Sequence, residues 1–225
     1  MIKAVILDFN GNLYLDHDLN DYAWGKAFDS AKDNNSNMTF KEFFDRNIET
    51  LTKDYDFSKG ILETFNKDSG LDKVIALSKY KEDTYIAEAK RQNRKELMKG
   101  AEKFLDYLKE NNIKYCIASM APKMNFDFYL EYLNLKKWFS FDNIVYDCSL
   151  YKNKNNQYIE AIKRMNVNID ECLLIEDSPK VILRALDIGV KNIIYLNTKN
   201  KELKLKEIIQ EAKDFDEIDL EIFKK

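Results

Sequence analysis

The sequence predicts an α/β protein with a doubly wound parallel β-sheet and an inserted helical segment. The chain begins with a short apolar run, residues 4–7, that is typical of a strand buried on both faces. From residue 100 onward, helical and strand-like segments alternate, which is typical of parallel strands joined by right-handed crossovers. Between about residues 16 and 95, helical spacing of apolar residues continues without a convincing strand.

The individual elements follow from the spacing of apolar residues in chain order. In the first half, helical spacing predicts helices at 19–31, 39–52, 58–65 and 71–98. In the second half, the predicted strands are 113–118, 143–146, 172–175 and 192–196, and the predicted helices are 100–108, 124–133, 158–165 and 181–188. We therefore predict a core domain of residues 1–15 and 96–225 and a helical domain of residues 16–95.

Composition excludes several classes of function. The 225 residues include 36 Lys+Arg and 39 Asp+Glu, a formal net charge of -3, so there is no strongly basic field to bind nucleic acid. The three cysteines are odd in number and widely spaced, which argues against a disulfide framework or a zinc site. No apolar run is long enough for a signal peptide or a membrane span. We expect a cytoplasmic protein, monomeric or weakly homodimeric, with no nucleic-acid or membrane partner.

Polar side chains follow the predicted strands at the edge where these strands end. Asp8 follows the first strand and precedes Gly11, a residue that lets the backbone turn sharply. Ser119 ends the next core strand, and the pair Glu176-Asp177 ends a later one. In open α/β sheets, ligands bind just outside the carboxyl ends of the strands. We therefore expect these side chains to share one crevice.

These residue types suit the chemistry of phosphoryl transfer. Asp8 and a second acidic group, Asp177 or Glu176, can hold one Mg²⁺, an ion that favours one or two carboxylates, waters and a phosphate oxygen. The Ser119 hydroxyl and the Lys152 ammonium can bind the remaining phosphate oxygens. Taken singly, each residue fits an ordinary role in a helix cap or a solvated loop. Their joint occurrence on successive strand ends favours a phosphate site.

Four short motifs occur in this order: Leu-Asp-Phe-Asn-Gly-Asn-Leu at 7–13, Ile-Ala-Ser at 117–119, a lysine near 152 and Ile-Glu-Asp-Ser at 175–178. Together they resemble the motifs of the haloacid dehalogenase (HAD) superfamily, and most closely those of its phosphatase and β-phosphoglucomutase branch. The resemblance covers nearly the whole chain. It implies a Rossmann-like core, an inserted α-helical cap domain, Mg²⁺ as the cofactor and an aspartyl-phosphate intermediate.

The resemblance also implies roles for single residues. Asp8 matches the nucleophile, Ser119 the phosphate-binding hydroxyl, and Asp177 the metal ligand, with Glu176 beside it.

The phosphate-binding lysine has two candidates, Lys152 and Lys154. Lys152 is preferred because the family commonly places an aromatic residue six positions later, here Tyr158. The prolines that usually follow this lysine in the family are missing from this sequence.

Asn10 is the chief departure from the family pattern. Family phosphatases usually have a second aspartate here, which protonates the leaving oxygen and later accepts a proton from the attacking water. An amide has no titratable proton and can do neither. The backbone carbonyl of Asn10 can still coordinate Mg²⁺, so the expected metal ligands are Asp8, Asn10 and Asp177. General acid–base catalysis typically contributes ~10²–10⁴-fold, so we expect slow turnover.

The sequence therefore favours a Mg²⁺-dependent phosphatase-like hydrolase that acts on a small phosphorylated metabolite. Two alternatives remain open. A HAD-fold binding or regulatory protein without efficient turnover is favoured by Asn10. A metal-free dehalogenase-like hydrolase also lacks the second aspartate, but the acidic pair at 176–177 indicates a cation site. A mutase is less favoured, because it needs the acid–base group in both directions.

Overall fold

The computed structural model describes residues 1–33, 36–47, 54–147 and 154–224. The chain folds into two compact units. The core unit comprises Met1–Leu15 and Lys95–Lys225, and the helical unit comprises Asp16–Arg94. Each unit contains its own cluster of buried apolar side chains.

The core unit is built on one six-stranded parallel sheet. The strands are β1 (Ala4–Leu7), β2 (Lys114–Pro122), β3 (Ile144–Asp147), β4 (Cys172–Glu176), β5 (Ile193–Leu196) and β6 (Ile208–Ala212). Their spatial order is β3-β2-β1-β4-β5-β6, and every pairing between neighbours is parallel. The chain therefore runs outward from β1 in both directions, which confirms the predicted doubly wound sheet.

Helices cover this sheet and bury its central strands. The helices of the core unit are α5 (Ala101–Glu110), α6 (Lys123–Tyr132), α7 (Lys154–Met165) and α8 (Pro179–Asp187). Alternate residues of β1, Ala4 and Ile6, belong to one buried cluster with residues of α7 and α8. All four residues of β1 are buried, as expected for a strand covered on both faces. The carboxyl end of β1 therefore lies at the centre of the sheet edge.

The helical unit contains α1 (His17–Ala31), α2 (Phe40–Asn47), α3 (Asp54–Thr64) and α4 (Leu71–Arg91). Its core combines aliphatic and aromatic side chains, with Phe28 in contact with Phe40, Phe43 and Phe65. No helix in the described part of the chain is long and apolar enough to cross a membrane.

The structure corrects several predicted elements. Helix α4 ends at Arg91 rather than at residue 98, because Asn93 adopts a left-handed backbone, φ 53°, a conformation that asparagine tolerates. The sequence pattern misses strand β6, because Ile208–Ala212 is a half-buried edge strand in which two of the five residues, Gln210 and Glu211, are polar. Helix α7 begins at Lys154, so this lysine lies on a helix and not in a loop. The end of the predicted helix 39–52 lies outside the described residues.

Candidate active site

The turn after β1 fixes the first carboxylate at the sheet edge. Asp8 follows the last residue of β1, and its backbone N–H donates to the carbonyl of Ile175 at 3.2 Å. Gly11 has a left-handed φ of 76°, and its N–H donates to the carbonyl of Tyr14 at 2.7 Å. A side chain is disfavoured in this conformation, which explains glycine at this position. The turn thus places Asp8 beside the end of β4.

The structure brings together three carboxylates at this edge. Asp8, Glu176 and Asp177 each offer an oxygen, and these atoms all lie within 4.8 Å of one another. Ligand oxygens around one Mg²⁺ at ~2.1 Å are separated by roughly 3–4.2 Å, so only a small closure of the trio is needed. The carboxylate oxygens are also the hard ligands that Mg²⁺ favours. The trio therefore fits a divalent cation.

Burial raises the pKa of two of these carboxyl groups, Glu176 and Asp8. Glu176 is fully buried, and burial, reinforced by the charge of Asp8, raises its pKa to about 8. Burial likewise raises the pKa of Asp8, although the nearby Lys154 ammonium opposes this. The Glu176 carboxylate accepts hydrogen bonds from the Tyr158 hydroxyl at 2.8 Å and from the Ser178 N–H at 3.1 Å. Glu176 is therefore held in a defined orientation inside the core.

Lys154 supplies a positive charge against this acidic group. Its Nζ lies 2.5 Å from Asp8 Oδ1, and its side chain is 7% exposed. Lys152, the lysine preferred from sequence, lies outside the described residues. Of the two candidates, Lys154 is therefore the one with an observed contact to Asp8.

One face of α7 points several side chains at the site. Gln157 donates through Nε2 to the backbone carbonyl of Ser119 at 2.6 Å. Lys154, Gln157 and Tyr158 are spaced i, i+3 and i+4, which places them on one side of a helix. The predicted helix begins at residue 158, whereas α7 begins at Lys154. With the helix extended to residue 154, the spacing in the sequence places Lys154 and Gln157 on the same face as Tyr158.

Ser119 and Asn10 are in direct contact. The Ser119 hydroxyl donates to Asn10 Oδ1 at 3.2 Å and accepts from the Ala121 N–H at 3.1 Å. Asn10 Nδ2 in turn donates to the Tyr129 hydroxyl at 3.1 Å. Tyr129 is fully buried and packs against Phe9, with ring centroids 4.6 Å apart. Tyr129 was not expected from the sequence, where it is one aromatic residue among several in α6.

A second lysine lies near the metal-binding candidate Asp177. Lys199 Nζ is 3.6 Å from Asp177 Oδ2, and the Lys199 side chain is 45% exposed. Its exposure means that solvent screens this ion pair much more than the pair of Lys154 and Asp8.

Comparison with known proteins places this geometry in a family. The family model for haloacid dehalogenase-like hydrolases matches residues 2–188. The structure is similar to a HAD hydrolase, family IA, variant 3, from Entamoeba histolytica, with a TM-score of 0.81 and 24% identity over 98% of this chain and 96% of that chain. It is also similar to β-phosphoglucomutase from Clostridium difficile, with a TM-score of 0.75 and 21% identity over 100% and 96% of the two chains.

A further similar structure is an aspartate-to-asparagine mutant of CbbY from Rhodobacter sphaeroides in complex with xylulose-(1,5)bisphosphate. Its TM-score is 0.75, with 18% identity over 96% of each chain. No curated protein matches the chain by sequence. The solved structures support the fold, and the family model covers most of the chain. The chain therefore belongs to the family of haloacid dehalogenase-like hydrolases.

Proposed function

We propose that this protein is a Mg²⁺-dependent phosphatase-like hydrolase that acts on a small phosphorylated metabolite through an aspartyl-phosphate at Asp8. The observation that carries the proposal is the convergence of Asp8 with Glu176, Asp177 and Lys154 at the carboxyl edge of the sheet. A nucleophile, a set of metal-binding oxygens and an ammonium are the groups that phosphoryl transfer needs.

Asp8 is the proposed nucleophile. It follows the central strand β1, and the hydrogen bond from its backbone N–H to the carbonyl of Ile175 fixes its backbone beside β4. Lys154 holds the Asp8 carboxylate and would bind an oxygen of the incoming phosphoryl group. Ser119, next to Asn10, would donate to a second phosphoryl oxygen by turning its hydroxyl from Asn10.

Asp8, Asp177 and the backbone carbonyl of Asn10 are the proposed metal ligands, with Glu176 orienting or completing the set. Bound Mg²⁺ would neutralise the charge that collects on the transferred phosphoryl group. Lys154 shares this task, because it brings a second positive charge to Asp8.

The substrate class is proposed from the family and from the structural neighbours. The CbbY mutant holds a sugar bisphosphate, and another neighbour is named a phosphoglucomutase. We propose a phosphorylated metabolite of similar size, with the helical unit acting as a cap domain that selects the leaving group. Caps of this kind exclude water and complete a site when they close.

The test is hydrolysis of p-nitrophenyl phosphate and of a panel of metabolite phosphates, with Mg²⁺ and with EDTA. The proposal requires phosphate release with Mg²⁺ that EDTA stops. The Asp8→Asn variant must lose this release. Metal-independent activity in both proteins would contradict the proposed mechanism.

Asn10 supports a second candidate, a HAD-fold binding or regulatory protein without efficient turnover. Its amide cannot exchange the proton that hydrolysis of an alkyl phosphate requires. Binding of a phosphate analogue without turnover of any substrate in the panel would favour this second candidate. The metal-free dehalogenase alternative is not favoured, because three carboxylates share the site.

A further inference from the structure

We propose that the protein takes its phosphoryl group preferentially from acyl phosphates, and that the aspartyl-phosphate formed on Asp8 then accumulates. This inference rests on the proposed function and deepens it. It assigns a donor class, mixed anhydrides of phosphate and a carboxylic acid, and makes the phosphorylated protein the main product.

Asn10 occupies the position in the turn after β1 where an acid–base group is expected. Its amide is held between the Ser119 hydroxyl at 3.2 Å and the Tyr129 hydroxyl at 3.1 Å. Both polar ends of the amide are therefore engaged by groups that carry no charge. Tyr129 is fully buried and Ser119 is 1% exposed, so this arrangement is part of the core of the unit. Residue 10 is therefore held by two uncharged hydroxyl groups, and its amide offers no proton for transfer.

Two other groups near Asp8, Glu176 and Lys154, are already engaged by neighbouring groups. Both oxygens of Glu176 already accept hydrogen bonds, from Tyr158 and from Ser178. Lys154 is engaged with Asp8. The core unit has no histidine, because the only histidine of the chain is His17 in the helical unit. Asn10 therefore leaves the acid–base position without a proton to transfer, while the carboxylates and Lys154 still serve metal binding and charge neutralisation.

When the donor is an acyl phosphate, the first chemical step does not need an acid at residue 10 to protonate the leaving oxygen. A carboxylate oxygen of Asp8 forms a bond to phosphorus as the bond from phosphorus to the acyl oxygen breaks. The departing carboxylate keeps the bonding electron pair and needs no proton at neutral pH, since carboxylic acids ionise near pH 4. An alkyl phosphate would instead release an alkoxide, which must be protonated as it leaves.

The second step, hydrolysis of the aspartyl-phosphate, does need an acid–base group at residue 10. Hydrolysis breaks the new bond between Asp8 and phosphorus, and the attacking water must lose a proton as it bonds to phosphorus. The Asp8 carboxylate leaves readily, so removal of this proton is the demanding part of the step. Without a base at residue 10, the step loses the ~10²–10⁴-fold that general acid–base catalysis contributes. The phosphorylated state then forms faster than it decays.

Acetyl phosphate with Mg²⁺ is the probe that tests this inference on the full chain. The readouts are phosphate that stays on the acid-quenched protein and is released by hydroxylamine, and free phosphate in solution. Glycerol 3-phosphate serves as the alkyl comparison. The matched variant is Asn10→Asp, in which a carboxylate of nearly the same shape can accept from both the Ser119 and the Tyr129 hydroxyl. Asp8→Asn is the control for the site of labelling.

The expected result is a labelled protein with acetyl phosphate, little label with glycerol 3-phosphate, and no label in Asp8→Asn. The label on the native protein should decay about 10²-fold more slowly than the label on Asn10→Asp. Equal decay in the two proteins would overturn the inference. So would Asp8-dependent phosphate release without any label, although the proposed hydrolase function would survive both results. No label and no phosphate release in either protein would overturn the proposed function itself.

Discussion

Lys154→Met is the substitution that most directly tests how the site is balanced electrostatically. The change keeps the apolar stem of the side chain and removes the ammonium that lies 2.5 Å from Asp8. Asp8, Glu176 and Asp177 would then share the site without this buried positive charge. Breaking a buried ion pair by removing one partner typically costs about 3–5 kcal/mol.

The lower end of this range applies here. The pKa of Glu176 is raised to about 8, so this carboxyl is largely neutral at pH 7 and adds little repulsion. A loss of about 3 kcal/mol corresponds to a fall in Tm of roughly 6–12 °C for a chain of this size, at about 2–4 °C per kcal/mol. The matched control is Lys199→Met. Its ion pair with Asp177 is 45% exposed on the lysine side, and an exposed pair contributes about 0–1 kcal/mol.

Thermal unfolding in EDTA measures the Tm loss of each lysine variant, and the same measurement in Mg²⁺ gives the stabilisation by the ion. Saturation at a hundred times the Kd stabilises a protein by about 2.7 kcal/mol. Mg²⁺ should raise the Tm of Lys154→Met more than that of the native protein, because the ion no longer competes with an ammonium for Asp8. Equal Tm losses for Lys154→Met and Lys199→Met, with equal Mg²⁺ responses, would refute this view of the site. Loss of phosphate-analogue binding in Lys152→Met but not in Lys154→Met would instead assign the phosphate contact to Lys152.

Three further predictions concern the reaction and its pH dependence. Asp8→Asn should abolish phosphate release, measured as free phosphate with Mg²⁺; release at the native rate would exclude the covalent route. Asn10→Asp should raise kcat/KM on alkyl phosphates by on the order of 10²-fold, and much less on acetyl phosphate, because only the alkoxide needs a proton on leaving; equal gains on both would show that residue 10 is not in an acid–base position. The metal-free protein should lose stability as pH rises, because the pKa of Glu176 is raised from 4.5 to about 8, so its contribution is complete below pH 4.5 and lost through pH 8. Urea unfolding between pH 5 and 9 in EDTA should show this decline, and the same slope in Glu176→Gln would contradict it.

Local sequence pattern was enough to identify the framework of the site. The run Ala4–Leu7 is apolar throughout and is typical of a strand buried on both faces, which is how it lies in the sheet. Residues 172–175 of β4 are likewise apolar and buried, and Glu176 at the end of that strand is buried as well. A carboxylate after such a run is expected near the end of the strand, because an unpaired charge inside the core is costly, and the buried Glu176 has hydrogen-bond partners in Tyr158 and Ser178. The sequence alone therefore places Asp8 and Asp177 at one edge of the sheet.

Only the tertiary structure decided which other side chains complete the site. Asn10 and Tyr129 are hydrogen-bonded although they are 119 positions apart, and Lys154 reaches Asp8 across 146 positions. Strand β6 likewise depends on its pairing with β5, since it lies at the edge of the sheet and its short sequence contains the polar pair Gln210 and Glu211. Periodicity reports which face of an element is apolar, but it carries no information on what that face meets. Contacts of this kind arise when the sheet assembles, because side chains far apart in sequence are then buried against one another.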